Sequence, residues 1–244
     1  MADPTLTLDN IGNAIAAIAA LGTASMGLVD AFKVLPGGGP SRIGFGYIES
    51  GLLPFIQQIF AGPGAPHANA PTARPELVYD QDLVIRTLRS NWINGVDKSA
   101  QKAKAKSLIH LGLNQGSASN LAAVAGVDAA ALQSLAAKMS NGGTAGQTEL
   151  NVLGQFDTVL SAVLDEAYER ADQKYRNGCK AIATILATVL GIVAGVLIEG
   201  GLTGVLTGAA VGLISVPLAP VSKDLVTSLQ AASASIQKTN KVKV

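Results

Sequence analysis

The chain contains little of the chemistry on which most catalytic and metal sites depend. Its 244 residues include one cysteine, Cys179, and two histidines, His67 and His110. A single cysteine excludes an internal disulfide framework and a zinc site built from several cysteines. No Walker loop, GxSxG elbow, HExxH pair or dinucleotide fingerprint occurs in the sequence. The sequence therefore predicts no catalytic residues, no cofactor, no metal ion and no small-molecule substrate, and it favours a protein that is not an enzyme.

Charged and aromatic residues are scarce as well. Charged residues make up 14% of the chain and aromatic ones 4%, whereas hydrophobic residues, many of them alanine, reach 48%. Soluble proteins carry about 25% charged residues. The 18 basic and 17 acidic residues nearly cancel, so no global field attracts nucleic acid. This composition favours a membrane protein over a large soluble or nucleic-acid-binding one.

Two long apolar runs lie in the C-terminal part of the chain, at residues 181–198 and 202–219, and neither holds a charged residue. A helix needs about 20 residues to cross the roughly 30 Å hydrocarbon core of a bilayer. A short Glu-Gly-Gly segment, residues 199–201, joins the two runs. We therefore expect residues 179–222 to form a transmembrane helical hairpin.

Small residues recur at four-residue spacing in both runs, in the pattern of a glycine zipper. This spacing places them on one stripe of each helix, where two backbones can approach closely and pack. The alternative is that small residues are simply common in membrane helices. The stripes predict a helix-packing interface that consists of Ala183, Ala187, Gly191, Gly195, Gly200, Gly204, Gly208 and Gly212.

A third uncharged run, residues 11–29, lies near the N-terminus and has the length of a membrane span. Its many alanines contribute little transfer free energy, and Asn13 weakens it further. Small residues again recur at four-residue spacing, at Gly12, Ala16, Ala20 and Ala24. We expect residues 1–35 to hold an N-terminal transmembrane helix that is more stable when packed against partners. A helix buried in a soluble bundle is the alternative.

The next segment, residues 36–76, begins with a Pro-Gly-Gly-Gly-Pro break and carries four of the ten aromatic residues between positions 41 and 60. Aromatic rings favour the membrane interface, so we expect a short helix that lies there or docks on the spans. A re-entrant segment is the alternative. Four prolines in residues 62–75 indicate an extended linker with His67 as a solvated loop residue.

Residues 77–178 predict a small helical domain outside the membrane. Asp97 is a candidate N-cap for a helix over residues 98–111, and Gly126 and Asp128 predict a break between two later helices. An amphipathic helix over residues 149–175 is expected to run through Gly178 into the first hairpin span. The remaining residues, 223–244, form the predicted tail.

Lysines at four-residue spacing share one face of the helix over residues 98–111. Such a face is usually solvated, and the alternative is contact with anionic lipid headgroups. The candidate residues for headgroup contact are Lys98, Lys102 and Lys106. Because no aromatic residues alternate with these lysines, RNA or DNA is not an expected partner.

One arrangement of residues resembles a family of uncharacterised bacterial membrane proteins. The residues that carry the resemblance are Phe156-Asp157, Tyr168-Glu169-Arg170 and Lys174-Tyr175-Arg176, followed by the hairpin. Members of that family have an N-terminal span, a cytoplasmic helical region and a C-terminal membrane segment. The resemblance implies a bacterial origin and this order of parts, and it implies no activity.

Basic residues flank the predicted spans unequally. Lys174, Arg176 and Lys180 precede the hairpin and Lys223 follows it, while the connecting turn has only Glu199. The positive-inside rule then places the helical domain and the tail in the cytoplasm. The first span has acidic residues before it and basic residues after it, which predicts an N-terminus outside the bacterial inner membrane.

The sequence thus predicts an all-α integral membrane protein with about three transmembrane helices and a small cytoplasmic helical domain. Its expected function is that of a non-catalytic anchor or scaffold, whose partners are the lipid bilayer and either further copies of itself or other membrane subunits. The alternative is a pore-forming or channel protein built on the hairpin, similar to colicin-type toxins. A water path needs polar lining, and the hairpin offers only Thr184, Thr188, Thr203, Thr207 and Ser215.

Overall fold

The computed structural model describes residues 8–34, 38–61, 79–222, 224–228 and 231–232. Helix makes up 85% of these residues, and no strand occurs among them, which confirms an all-α fold. The α-helices are α1 (Leu8–Phe32), α2 (Phe45–Ala61), α3 (Gln81–Ile93), α4 (Lys98–Leu111), α5 (Ala118–Ala125), α6 (Ala129–Asn141), α7 (Gln147–Ile198) and α8 (Gly201–Leu218). The predicted linker at residues 62–75 and the tail from residue 233 lie outside the described residues.

Within the part of the chain that the structure describes, three helices are long and apolar enough to cross a membrane. They are Ile11–Phe32 within α1, the long helix α7, and α8. These helices contain the three uncharged runs of the sequence, and length and composition alone define them as candidate spans.

The chain divides into two compact units. Residues 1–40 and 176–244 form one, here called the terminal unit, and residues 41–175 form the other, the central unit. Helix α7 contributes to both and runs for 52 residues without a break, as expected from the pattern through Gly178. It contains no proline, and an internal glycine costs a helix only about 1 kcal/mol relative to alanine.

Local capping explains where the helices of the central unit begin and end. Asp80, Asp97 and Asp128 cap the N-termini of α3, α4 and α6 by accepting hydrogen bonds from backbone N–H groups of the first turn. Gly126 and Gly142 end α5 and α6 in the left-handed conformation, both with φ 68°. The N-cap at Asp97 and the break at residues 126–128 are confirmed.

Helix α2 lies in the core of the central unit, which differs from the expectation of a separate interfacial segment. Six of its residues are buried: Phe45, Ile48, Leu52, Phe55, Ile56 and Ile59. Phe55 packs edge-on against Phe156 of α7, with 6.2 Å between the ring centroids. Gly112 lies so close to Ile59 that a Cβ there would come within 3.0 Å of its side chain. The boundary predicted at residue 77 is therefore wrong, because α2 supplies core side chains to the helices that follow it.

Candidate functional site

The helix hairpin of the terminal unit is held together by backbone contact at glycine. Gly191 lies against Gly208, and Gly195 against Gly204. A Cβ added at any of these four positions would come within 3.0 Å of backbone atoms on the facing helix. Such close approach is the packing mode open to helices that gain no hydrophobic free energy from association.

The same register continues toward the open end of the hairpin. Gly212 lies against the backbone of Ala187 and Thr188. Ala183 and Ala187 are fully buried, and Ala183 belongs to a cluster with Val216 of α8. The two four-residue stripes therefore face each other as the spacing suggests, from Ala183 to Gly195 on α7 and from Gly204 to Gly212 on α8.

Gly200 does not belong to this interface. It is the residue before α8, its φ is +71°, and a Cβ there would meet nothing within 4 Å. Gly201 has a positive φ of 55° as well. The inclusion of Gly200 in the stripe is wrong because its role is to reverse the chain, in a conformation that residues with a Cβ rarely adopt.

Helix α1 packs on α8 through a different face from the one its small residues suggest. A Cβ at Gly22 would come within 3.0 Å of the backbone of Ser215, and the buried residues of α1 are Ala19, Gly22, Ser25 and Val29. These lie three or four residues apart, a spacing that follows a nearly straight seam along the helix. The predicted row Gly12, Ala16, Ala20 and Ala24 is not this face, since Ala16, Ala20 and Ala24 are exposed and nothing lies near Gly12.

The buried hydroxyl groups of the terminal unit are satisfied within their own helices. Ser25 Oγ donates to the Leu21 carbonyl at 2.9 Å, and Ser215 Oγ donates to the Gly212 carbonyl at 2.8 Å. Thr188 Oγ1 likewise donates to the Thr184 carbonyl at 2.8 Å. Each of these hydroxyls uses its one donor hydrogen within its own helix, so it can only accept from a further partner.

The outward faces of the three apolar helices differ in side-chain size. On the hairpin, the exposed residues include Ile185, Val189, Val193, Leu197, Leu202, Leu206 and Leu213. On α1, the side opposite Gly22 carries only small or polar residues, all of them exposed: Asn13, Ala16, Ala17, Ala20, Ala24, Gly27 and Ala31. At 100° per residue these seven cover about 100° of the helix circumference.

In the central unit, α4 and α7 are joined by a ladder of polar side-chain pairs, two of them lysine–carboxylate ion pairs. Lys98 pairs with Glu169, Lys102 Nζ lies 2.6 Å from Asp165 Oδ1, and His110 Nε2 lies 2.6 Å from Asp157 Oδ1. Each step of four or eight residues along α4 is matched by an equal step backwards along α7, so the two helices run antiparallel. The hydrogen bond from Lys102 lowers the pKa of Asp165 below its ordinary value.

This ladder accounts for the lysine face that the sequence left open between water and lipid headgroups. Lys98 and Lys102, two of the three candidate residues, are paired with carboxylates of α7. By the register of the ladder, the third, Lys106, falls opposite Ser161, whose hydroxyl donates to its own helix at Asp157. Contact between lipid headgroups and this face stays a prediction.

Glu149 forms a second polar cluster, at the start of α7. Its carboxylate accepts hydrogen bonds from Ser134 Oγ at 2.6 Å, Lys138 Nζ at 2.7 Å and the backbone N–H of Gly146 at 2.5 Å. The bond from Lys138, followed by those from Ser134 and Gly146, lowers the pKa of Glu149 to about 2. The carboxylate thus reaches back to cap its own helix, as a capping-box glutamate does.

The described residues hold no group of three or more His, Cys, Asp or Glu side chains that could bind a metal ion. Cys179 is half-buried beside the cluster around Ala183. A shallow groove between α2 and α7 is lined by Tyr47, Ser50, Gly51, Val163, Glu166, Ala167 and Arg170. It contains a Glu166–Arg170 ion pair at 2.8 Å but no histidine or cysteine.

No family model, curated protein or solved structure matches this chain. The resemblance to a family of bacterial membrane proteins therefore stays a prediction.

Proposed function

We propose that this protein is a non-catalytic integral membrane subunit that anchors or scaffolds a homo-oligomeric or larger membrane assembly. The observation that carries the proposal is the side of α1 opposite Gly22, on which every residue is small or polar. The large exposed side chains of α1, such as Leu28, lie outside this sector. Large apolar side chains give a helix its transfer free energy into lipid, and the hairpin exposes such side chains. A face of alanine and glycine gains little from lipid and packs well against another helix.

Asn13 adds a polar requirement to the same face. It is exposed on α1 and lies within the candidate span Ile11–Phe32. A side-chain amide facing hydrocarbon costs free energy that a hydrogen bond across a helix interface recovers in part. A second copy of the chain, or another membrane subunit, is the partner we propose for this face.

The topology that we propose has three spans: α1, the last part of α7 from residue 181, and α8. The N-terminus lies outside a bacterial inner membrane, and the central unit and the tail lie in the cytoplasm. Val29, near the end of α1, shares a cluster with Ala183 and Val216 at the open end of the hairpin. This supports the topology, because α1 then ends on the side where the basic residues before the hairpin lie.

Reporter fusions test this topology. We expect a fusion at the N-terminus to be active only in a reporter that works outside the cytoplasm, and a fusion after Val244 only in a cytoplasmic reporter. An N-terminal reporter that is active only in the cytoplasm contradicts the proposed orientation.

Purification in mild detergent, followed by mass measurement and identification of co-purifying chains, tests the scaffold role. We expect a mass above that of one 24.7 kDa chain, or a defined partner. Ala20→Leu places a large side chain on the outward face of α1 and should reduce the assembled fraction. Leu206→Ala, on the outward face of the hairpin, is the matched control and should leave assembly unchanged.

The alternative, a pore built on the hairpin, has less support. The hydroxyls of Thr188 and Ser215 bond to their own helices, and the inner faces of the hairpin are closed by backbone contact at glycine. A water path needs polar groups that face it. A monodisperse monomer without partners that conducts ions in planar bilayers would reverse this preference.

A further inference from the structure

Three buried polar atoms of the central unit have no hydrogen-bond partner among the described residues. They are Trp92 Nε1 of α3, Gln101 Oε1 of α4 and Tyr168 Oη of α7. Tyr168 is fully buried and Gln101 is 4% exposed. A buried polar group without a partner destabilises a fold, so three of them in one small unit call for a common explanation.

The rings of Trp92 and Tyr168 are in contact, and the register of α4 against α7 brings Gln101 to the same part of the central unit. The rings of Trp92 and Tyr168 lie with their centroids 6.3 Å apart. The Gln101 side chain is fixed at the turn between α3 and α4, because its Nε2 donates to the Val96 carbonyl at 2.5 Å. On α4, Gln101 lies between Lys98 and Lys102, whose partners on α7 are Glu169 and Asp165. This register places Gln101 beside the turn of α7 that carries Tyr168.

The chemistry of the three atoms is complementary. The indole N–H of Trp92 only donates, the amide oxygen of Gln101 only accepts, and a tyrosine hydroxyl does both. Burial raises the pKa of Tyr168 to about 12, so its hydroxyl keeps its proton at neutral pH. An anion would be repelled by the amide oxygen, and a cation by the indole N–H. A small neutral molecule that both donates and accepts is what fits.

We propose that Trp92, Gln101 and Tyr168 form a binding site for one buried water molecule that links α3, α4 and α7. The water accepts from the indole N–H, donates to the Gln101 oxygen and bonds to the Tyr168 hydroxyl. Buried waters in proteins make about three such bonds. The site lies behind the ion pairs of the ladder, at the point where the α3–α4 turn meets α7.

The single tryptophan of the chain makes the test specific. In the full chain in detergent micelles, labelled with ¹⁵N at tryptophan, the one indole N–H should show magnetisation transfer to a long-lived water. The signal should persist in Tyr168→Phe, because Trp92 and Gln101 still hold the water. The absence of this signal in the wild type overturns the proposal. Loss of the signal in Tyr168→Phe also overturns it, because the hydroxyl would then be the group that relays the magnetisation.

The change in folding stability of Tyr168→Phe is an independent test of the proposed water. If the hydroxyl of Tyr168 bonds to a bridging water, Tyr168→Phe should lower the ratio of folded to unfolded central unit about fivefold, the typical effect of one lost hydrogen bond. Tyr79→Phe is the matched control, because the Tyr79 hydroxyl donates directly to the Leu108 carbonyl at 2.6 Å. An unchanged or higher ratio for Tyr168→Phe, together with a fall for Tyr79→Phe, overturns the proposal.

Discussion

The two units of this chain are both helical, but their interiors are filled in opposite ways. The largest fully buried side chains, such as Tyr168, Phe156 and Leu121, all lie in the central unit. In the terminal unit the fully buried residues include Ala183 and Ala187, and glycine backbones touch across the hairpin. Many bulky residues of that unit lie outside, with Leu197 81% exposed and Ile198 82% exposed, although Val29 and Val216 are buried.

This inversion teaches which solvent each unit suits. The central unit buries apolar surface and keeps the lysine pairs of the ladder near its surface, as the hydrophobic effect in water favours. Glu149, the one buried carboxylate among its described residues, is hydrogen-bonded and paired with Lys138. A soluble protein rarely exposes a large contiguous apolar surface, whereas the hairpin exposes large apolar side chains such as Leu197 and Leu206. In a bilayer the same surface faces hydrocarbon, and close packing of small residues holds the helices together.

The largest loss of stability is expected when a large buried side chain of the central unit is removed. Phe156→Ala removes a fully buried ring that packs on Phe55, and should cost about 3–5 kcal/mol in the free energy of unfolding. Leu150→Ala is the control, because this residue of the same helix is 49% exposed. Chemical denaturation followed by tryptophan fluorescence measures both variants. Similar costs for the two would contradict the idea that bulk in the core stabilises this unit.

In the terminal unit the opposite change should be destabilising, because a larger side chain would push the closely packed helices apart. Gly208→Leu places a side chain against the backbone of Gly191 and should destabilise the hairpin or its partner contacts by about 1–3 kcal/mol, as overpacking does. Leu206→Ala, at a position 63% exposed, should matter less. The measurement is the fraction of assembled protein that resists increasing detergent. Equal losses for the two variants would count against a packed stripe.

Features that depend on neighbouring residues were predicted from the sequence, whereas contacts between segments far apart in the chain were not. The apolar runs, the caps at Asp97 and Asp128 and the unbroken α7 follow from local rules that involve neighbouring residues. The facing stripes of the hairpin were predictable too, because a short turn forces the two helices to pair. Gly200 was assigned wrongly because it shares the spacing of the stripe while serving the turn.

The remaining errors concern contacts between distant segments. Both sides of α1 carry alanine, so spacing alone does not show that Gly22 rather than Ala20 faces α8. The apolar face of α2 suits a membrane interface and a protein core equally well. The ladder was missed because the lysines were considered alone; its signal was the matched four-residue spacing of Asp157, Ser161, Asp165 and Glu169.

Acid should distinguish the two units further. The pKa of Glu149 is lowered from its ordinary 4.5 to about 2, so its carboxylate stabilises the central unit fully above about pH 4.5. That contribution declines as the pH falls and is lost below about pH 2. Glu149→Gln should therefore lower the unfolding temperature at neutral pH, and the gap to the wild type should close in acid. Lys138→Met, which removes the strongest donor, should reproduce part of the effect, whereas a gap that is independent of pH would contradict this account.

The smallest expected effect is a gain in folding stability from a carboxylate added at the one position of the ladder that lacks it. By register Ser161 faces Lys106, and the carboxylates one turn away on α7 are the half-buried Asp157 and the exposed Asp165. Ser161→Glu would add the missing pair, but it would also add like-charge repulsion along α7. Exposed pairs contribute about 0.2–1 kcal/mol, so we expect a net rise of about 0.5 kcal/mol in the free energy of unfolding. Ser161→Gln matches the size without the charge and should give no rise. Since salt screens exposed charges, the gain in stability should vanish at high ionic strength. A gain that survives at high salt, or that also appears in Ser161→Gln, would mean that packing rather than charge joins α4 and α7 at this position.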